Sequence, residues 1–435
     1  NGTIGDFTNP LPLSITKTGA ATWSLGNSSN TYSGATIINA GILQATKLAV
    51  GGSPSSIGES TNAATNLILN GGTLQYAGTG DTTDRNFTLL PGGGALDASG
   101  SGAVTFSNTA ILSPDPANQA VTTTANATIT GITTTVGLYV GMPVGDGDNL
   151  IPNGTTISSI ASATSIVLSH AAAAGSTTLD FGYGARTLTL TGTSTSSNSI
   201  AGILQDSQTV NTTVGTLSIT KTGAGTWELG GANTYTGPTA VNGGTLLVDG
   251  SIASPTTVGN TGTLGGHGTI SNSVTISAGG TLSPGDSPGQ LTVNSLALTS
   301  SGTGSTTLMQ IGGTTLGSQY DNVDVTTSAG LAYGGALQIV SYSPWNVSAQ
   351  SDIYDLFTFT GGATGDFSGV TVDGFSLTDS SGIWSGTNGG ATYTFADSTG
   401  ILDVSGAVPE PASLCLLGLG GGMMLLRRRR AAKMI

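Results

Sequence analysis

LSITKTGAATWSLG (Leu13 to Gly26) recurs almost unchanged as LSITKTGAGTWELG (Leu217 to Gly230). The match continues, because NTYSGATIINAGIL (Asn30 to Leu43) aligns with NTYTGPTAVNGGTL (Asn233 to Leu246). The loops that join the two halves of each copy differ by one residue in length. A similarity of this length does not arise by chance, so the chain contains an internal repeat.

Short strands that end in glycine corners surround both copies. Examples are NLILNGGTLQYAG (Asn66 to Gly78), VNGGTLLVDG (Val241 to Gly250) and VTISAGGTLSPG (Val274 to Gly285). The spacing leaves no room for helices between the strands, and amphipathic helical patterns are absent from the sequence. This pattern predicts a parallel β-helix with roughly 20–25 residues per turn, whose alternate apolar side chains stack inside and whose glycines supply corners with positive φ.

The form TKTGAGTWELGGANTYTG (Thr220 to Gly237) resembles the autotransporter-associated β-strand repeat of passenger domains. The resemblance extends through Gly262 to Val293 and Ser318 to Val325, which are similar to the closing turns of autotransporter passengers. It implies an exported, all-β chain folded as a right-handed parallel β-helix (solenoid).

Two segments depart from the repeat pattern. Val136 to Gly182 is rich in strand-forming residues but lacks the signature of the solenoid repeat, and it resembles small β modules inserted in bacterial surface and phage structural proteins. From Leu331 to Gly406 the glycines become fewer and aromatic residues appear, which predicts an antiparallel β cap over the end of the coil. We therefore expect five parts: the β-helix over 1–118 and 184–330, the inserted module over 119–183, the cap over 331–406, and a tail over 407–435.

The tail has three elements in a fixed order. Pro409, Glu410 and Pro411 precede about fifteen apolar residues, and the arginines Arg427, Arg428, Arg429 and Arg430 follow. The apolar run is shorter than the ~20 residues of a stable membrane span, and the arginines favour the cytoplasmic face. A short C-terminal helix that acts as a simple anchor is one interpretation. The order also resembles the PEP-CTERM sorting signal, which implies transient contact with the inner membrane and cleavage by an exosortase near the Pro-Glu-Pro triplet.

Composition excludes several classes of protein. Charged residues make up 8% of the chain, against roughly 25% in typical soluble domains, whereas hydrophobic residues make up 37% and argue against disorder. Before Pro409 the chain has 5 basic and 22 acidic residues, so no basic surface for nucleic acid is expected. Cys415 is the single cysteine and lies in the tail, and the first residue is Asn1 rather than Met. We expect no disulfide in the body, and either a removed signal peptide or missing upstream sequence.

Residues with catalytic potential are scattered. The two histidines, His170 and His267, have no paired cysteine or clustered partner in sequence, so we predict neither a catalytic role nor a cofactor for them. Asp146 and Asp148 in the turn GDGDN are weak candidates for Ca²⁺ ligands, although a solvated turn is the simpler interpretation.

The remaining charged and aromatic residues also favour structural roles. Asp81, Asp84 and Arg85 are interpreted as a solvated corner, and Asp321 and Asp324 as stabilisers of a turn. The repeated aromatic pairs predict stacking within the coil, with sugar binding as the alternative, and the repeated lysines are expected to extend over its edge to solvent. These residues are Trp23, Trp227, Tyr32, Tyr235, Lys17 and Lys221.

The sequence thus predicts a non-enzymatic, adhesin-like structural rod at the cell surface or in the extracellular matrix of a Gram-negative-type bacterium. One alternative is a protein that binds exopolysaccharide or surface glycans. A polysaccharide-active β-helix enzyme is the other, but it would need clustered carboxylates beside a base, and the sequence does not offer them.

Overall fold

A computed structural model describes residues 2–6, 11–210, 213–300, 304–342 and 351–406. Its elements are almost entirely short strands, and one 3₁₀ turn at Ala64–Asn66 is the only helical element within these ranges. No helix among the described residues has the length and hydropathy of a membrane span. The expected C-terminal helix lies outside the described residues.

The first ten strands precede residue 118. They are β1 (Ile15–Lys17), β2 (Thr22–Leu25), β3 (Thr36–Ile38), β4 (Ile42–Ala45), β5 (Leu67–Leu69), β6 (Thr73–Tyr76), β7 (Asp81–Thr83), β8 (Thr88–Leu89), β9 (Gly94–Ala98) and β10 (Val104–Phe106).

Six strands follow in the segment predicted as an inserted module. They are β11 (Gln119–Thr123), β12 (Thr128–Thr130), β13 (Val144–Asp146), β14 (Ile157–Ser162), β15 (Ser165–Leu168) and β16 (Gly175–Phe181).

The next eighteen strands return to the coil, apart from Thr209–Val210 and Thr213–Val214, which form a separate antiparallel pair. They are β17 (Arg186–Thr191), β18 (Asn198–Ile200), β19 (Thr209–Val210), β20 (Thr213–Val214), β21 (Leu217–Lys221), β22 (Thr226–Leu229), β23 (Thr239–Val241), β24 (Gly244–Val248), β25 (Ser251–Ile252), β26 (Thr256–Val258), β27 (Gly262–Gly265), β28 (Thr269–Ile276), β29 (Thr281–Leu282), β30 (Gln290–Leu298), β31 (Thr306–Ile311), β32 (Asn322–Val325), β33 (Leu331–Tyr333) and β34 (Ala336–Ser341).

The last nine strands lie between residues 352 and 405. They are β35 (Asp352–Asp355), β36 (Phe357–Phe359), β37 (Thr364–Gly365), β38 (Gly369–Val372), β39 (Phe375–Ser376), β40 (Thr378–Asp379), β41 (Ile383–Asn388), β42 (Ala391–Ala396) and β43 (Ile401–Ser405).

Long parallel sheets form the faces of the coil. One sheet has 15 strands and runs from β2 to β36, a second has 11 strands and runs from β39 to β7, and a third joins β1, β3, β5 and β8. Successive turns differ in length, since Thr239 lies opposite Thr256 while Ala336 lies opposite Gly369. The all-β fold and these parallel sheets confirm the predicted solenoid.

The two repeat copies occupy different faces. In the first copy, β1 belongs to the four-stranded sheet and β2 to the 15-stranded sheet. In the second copy, β21 belongs to the 15-stranded sheet and β22 to the 11-stranded sheet. The motif therefore fixes two strands on adjacent faces of one turn, and the sequence between the copies sets which pair of faces each copy uses.

The segment from β11 to β16 forms two three-stranded antiparallel sheets with a hydrophobic cluster of their own. Both sheets lie between β10 and β17, which belong to the coil. At the base of this segment, Tyr139 stacks on Tyr183 at 6.3 Å, and the Arg186 guanidinium lies 5.2 Å from the Tyr183 ring. We call the segment from Gln119 to Phe181 the module.

The end of the coil differs from the expected cap. Parallel pairing does not stop near residue 330, because β34 pairs with β31 and then with β38, and β36 pairs with β32, all in parallel. Only β35 and β40 to β43 form a separate antiparallel sheet, and β39 folds back on β38. Thinning of glycine was thus a poor indicator of the boundary, because alternating residues such as Leu337 and Ile339 continue to fill the interior.

Candidate functional surface: the module and the outer face of the coil

A groove of about 760 Å³ lies on the module. Its walls come from β11, β12 and β16, where outward positions carry hydroxyl groups. The polar side chains are Thr122, Thr130, Ser176, Thr177, Thr178 and Asp148. Such a groove offers many hydrogen-bond donors and acceptors to a polar ligand.

Apolar side chains are exposed on the same module. Val136 is 64% exposed and Val140 is 61% exposed, both in the loop before β13, and Ile160 on β14 is 38% exposed. Leu138 lies between the two valines and is buried in the cluster of the module. The loop is therefore anchored by Leu138 while the two valines face solvent, as expected of a contact surface.

Asp146 and Asp148 lie at the end of β13. Asp146 is mostly buried and accepts hydrogen bonds from the backbone N–H groups of Leu150 (2.9 Å) and Ile151 (3.1 Å). The Thr177 hydroxyl lies 2.9 Å from an oxygen of each carboxylate. These bonds explain the turn without an ion, and coordination of Ca²⁺ by this pair remains a prediction.

The repeated lysines lie inside the coil, which corrects the expectation that they reach solvent. Lys221 is fully buried, and its ammonium donates to the carbonyls of Thr222 (2.8 Å), Gly223 (3.0 Å) and Gly243 (2.8 Å). Lys17 makes the equivalent three bonds, to Thr18, Gly19 and Ala40. Each ammonium thus joins two successive turns at a corner, and burial lowers the pKa of Lys221 to about 8.

The repeated aromatic residues differ between the copies. Trp227 is fully buried and donates its indole N–H to the Thr191 carbonyl at 2.8 Å, whereas Trp23 is 44% exposed. Tyr32 and Tyr235 are both buried, and each pairs with the hydroxyl of a threonine four residues later. Within the described chain, only Trp23 of the four can offer a ring to a ligand.

The outer face of the 11-stranded sheet carries a ladder of threonines. Thr226, Thr245, Thr263 and Thr281 lie opposite one another on successive turns. A cleft of about 350 Å³ runs along the first three of them and also includes Glu228 and Asp286. We call this surface the threonine cleft.

His267 lies at the edge of the threonine cleft. Its Nδ1 is 3.2 Å from a carboxylate oxygen of Asp249 and 3.5 Å from one of Asp286. Sequence reasoning missed this cluster because its members are on three different turns and meet only when the coil stacks. Burial raises the pKa of Asp249, and the charge of Asp286 raises it further. His170 is exposed, and its Nδ1 lies 3.4 Å from the Thr155 hydroxyl and 3.1 Å from the Ser169 hydroxyl.

Arg85 and the aspartates Asp81 and Asp84 hold neighbouring turns of the coil together. Arg85 is buried, not solvated as expected, and its guanidinium donates to the carbonyls of Ala49, Ser60 and Gly58. Asp81 and Asp84 form no ion pair with Arg85. Their carboxylates instead accept hydrogen bonds from the backbone N–H groups of Leu48 and Gly51.

Asp321 is fully buried in the closing turns. It accepts hydrogen bonds from the backbone N–H groups of Gly289 (2.8 Å) and Gln310 (2.7 Å). Burial raises the pKa of Asp321 to about 7. The carboxylate thus ties two turns together, as expected of a residue that stabilises a turn.

Comparisons with known proteins agree with this architecture. Residues 15–45 and 219–248 match the passenger-associated-transport repeat, and residues 407–430 match the PEP-CTERM protein-sorting motif. The chain carries passenger repeats and a PEP-CTERM sorting motif. These features indicate an exported cell-surface protein of Gram-negative bacteria, which confirms the predicted resemblance and location. Pro409, Glu410, Pro411 and the four arginines lie outside the described residues.

A curated relative is the adhesin BmaC autotransporter of Brucella suis biovar 1 (strain 1330). It is 35% identical over 246 residues, which are 53% of this chain but 7% of the relative. The chain thus spans a small part of that relative's length. The relative is named as an adhesin, and the matched repeat is named for its association with passenger transport.

Proposed function

We propose that this protein is a surface rod that holds the module away from the cell envelope for adhesion. The observation that carries the proposal is the pair of exposed valines, Val136 and Val140, on a module with its own core. The parallel coil supplies a rigid support, since its backbone hydrogen bonds run from turn to turn. The relative named as an adhesin supports this reading.

Delivery is part of the same proposal. The PEP-CTERM motif supports processing by an exosortase, with transient contact between the tail and the inner membrane. The mature chain would then lose the apolar run that follows Pro411.

A second candidate function is the binding of exopolysaccharide in the threonine cleft. The stacked threonines present hydroxyls at the strand spacing of about 4.8 Å, beside the carboxylates of Glu228 and Asp286. Sugar hydroxyls can exchange hydrogen bonds with such a surface.

One experiment separates the two functions. The double variant Val136→Asp, Val140→Asp should reduce attachment of cells to a hydrophobic surface severalfold, because two charges replace an apolar contact. Val50→Asp is the matched control, since Val50 is 43% exposed but lies on the coil. Attachment that survives in the double variant contradicts adhesion through the module.

A separate binding measurement tests the second candidate function. Loss of exopolysaccharide binding in the double variant Thr245→Val, Thr263→Val supports it.

A further inference from the structure

A cavity of about 440 Å³ lies where the last turn of the coil meets the antiparallel sheet. Asp366, which follows β37 of the coil, contributes to one wall, and Asp397, which follows β42 of the antiparallel sheet, contributes to another. Ser381 and Gly382, in the turn between β40 and β41, complete this part of the lining.

Asp397 is held at the cavity with its charge unsatisfied. It is 7% exposed, and neither of its carboxylate oxygens has a hydrogen-bond partner of good geometry, although the Asp366 carboxyl and the Trp384 indole lie close to it. Its backbone N–H donates to the Gly382 carbonyl at 3.0 Å, which fixes the side chain against the turn. A buried carboxylate without a partner is costly, so a group that neutralises it is expected.

The surroundings of Asp397 make its charge still less favourable. Burial raises the pKa of Asp397 to about 8, and the adjacent Asp366 and the nearby Asp379 contribute to the rise. Trp384 donates its indole N–H to Asp366 at 3.1 Å, and its proximity to Asp397 offsets only part of the rise in the pKa of that carboxyl. The sequence from residue 222 to residue 426 contains no lysine or arginine. Among the described residues, no basic side chain lines the cavity or shifts the pKa of Asp397, so we expect a proton or a cation from the solvent to neutralise it.

We propose that Asp366 and Asp397 bind a Ca²⁺ ion in this cavity. Both ligands are hard oxygens, and the cavity has room for water molecules to complete the six to eight oxygens that Ca²⁺ takes. The lining provides neither a thiolate nor an imidazole, which softer metals prefer. The ion joins the coil to the antiparallel sheet, because its two carboxylates come from these two parts.

The proposal concerns a site at the end of the coil and does not depend on the function of the module. A site with two carboxylates is expected to have a dissociation constant for Ca²⁺ on the order of 10⁻⁴ to 10⁻³ M. Such a site is substantially occupied at the millimolar calcium concentrations found outside cells.

Terbium luminescence tests the site directly, because Tb³⁺ replaces Ca²⁺ and is excited by a nearby indole. In the full chain, selective excitation of tryptophan should give Tb³⁺ emission that Ca²⁺ displaces. Asp397→Asn should abolish this emission, and Trp384→Phe should abolish it too. Asp403→Asn is the matched control, because Asp403 is exposed on β43 and lies outside the cavity lining, and it should leave the emission unchanged.

Thermal unfolding supplies the second readout. Ca²⁺ should raise the melting temperature of the wild type and of Trp384→Phe in a saturable manner, because a ligand that binds the folded state stabilises it. Mg²⁺ should have a smaller effect, and Asp397→Asn should not respond to Ca²⁺ through this site. If the wild type shows neither displaceable emission nor a Ca²⁺-dependent melting temperature, the two carboxyls share a proton only, and the proposal is wrong.

Discussion

The buried lysine of each repeat explains why this residue belongs to the motif. Lys221 lies opposite Leu190 on one side and Val241 on the other, so it occupies an inward position in a ladder of apolar side chains. Its ammonium reaches a corner where three carbonyls of two turns converge. The sequence shows a lysine in both copies but not the direction of its side chain. A lysine side chain can extend its ammonium to solvent, or it can point inward if buried carbonyls accept hydrogen bonds from the ammonium.

The pKa of Lys221 gives a pH dependence with a definite sign. Its folded-state pKa of about 8 lies below the unfolded value of about 10.4, so between these pH values the unfolded chain binds more protons. The contribution of Lys221 to the free energy of unfolding therefore rises with pH across this window. Chemical denaturation at several pH values should show the free energy of unfolding of the wild type rising relative to Lys221→Met.

Lys47 supplies the control for this measurement, because it is exposed on the same coil. Lys47→Met should keep a constant difference from the wild type over the window. A difference between the wild type and Lys221→Met that falls as the pH rises would mean that the three carbonyls stabilise the ammonium more than burial destabilises it.

At the level of the strand, the two copies of the repeat have nearly the same sequence, but their tryptophan-bearing strands have different neighbours. β22 lies between β18 and β24, whereas β2 pairs only with β4 within the described chain. Trp227 on β22 is therefore covered by the turn before it, and Trp23 on β2 is not.

Alanine substitution should separate these two tryptophans. Trp227→Ala should lower the free energy of unfolding by about 3–5 kcal/mol, because it leaves a large cavity in the coil. Trp23→Ala should lower it by about 1 kcal/mol or less, because the ring is already partly in water. Denaturant titration of both variants measures the difference, and equal losses would show that Trp23 is covered in solution.

Strand identity was the most predictable level of the structure. Alternation of apolar residues with threonine, together with glycine corners, was sufficient to indicate a parallel coil. The rotation of the second repeat onto other faces was not predictable, since it depends on the lengths of turns between the copies. The continuation of the coil beyond Leu331 was missed because aromatic residues replaced glycine there without a change in the alternation.

For the molecule as a whole, the coil and the module are separate structural parts, and we expect the coil to serve as the support and the module as a contact surface. The coil has one continuous hydrophobic cluster, and the module has another. The threonine cleft and the Asp249, His267, Asp286 cluster arise from residues on successive turns, which no local motif reveals. Asp366 and Asp397 are likewise brought together only by the contact between coil and antiparallel sheet, so sequence reasoning assigned them no role.

The charge distribution supports a sorting role for the tail. Half of the ten basic residues follow Pro409, in a chain whose preceding part is acidic. The apolar run between the triplet and the arginines is shorter than a stable span, which supports the proposed transient stop in the membrane over a permanent anchor.

The double variant Pro409→Ala, Glu410→Ala tests this role. It should abolish the shift to a smaller size that we expect from cleavage by an exosortase, because the triplet is lost while the apolar run and the arginines remain. Intact mass of the exported chain and pulse-chase gels measure the shift. Ser413→Ala is the matched control, since it lies between the triplet and the arginines and should be processed normally. Unchanged processing of the double variant would instead favour a simple C-terminal anchor, with the arginines alone fixing the orientation.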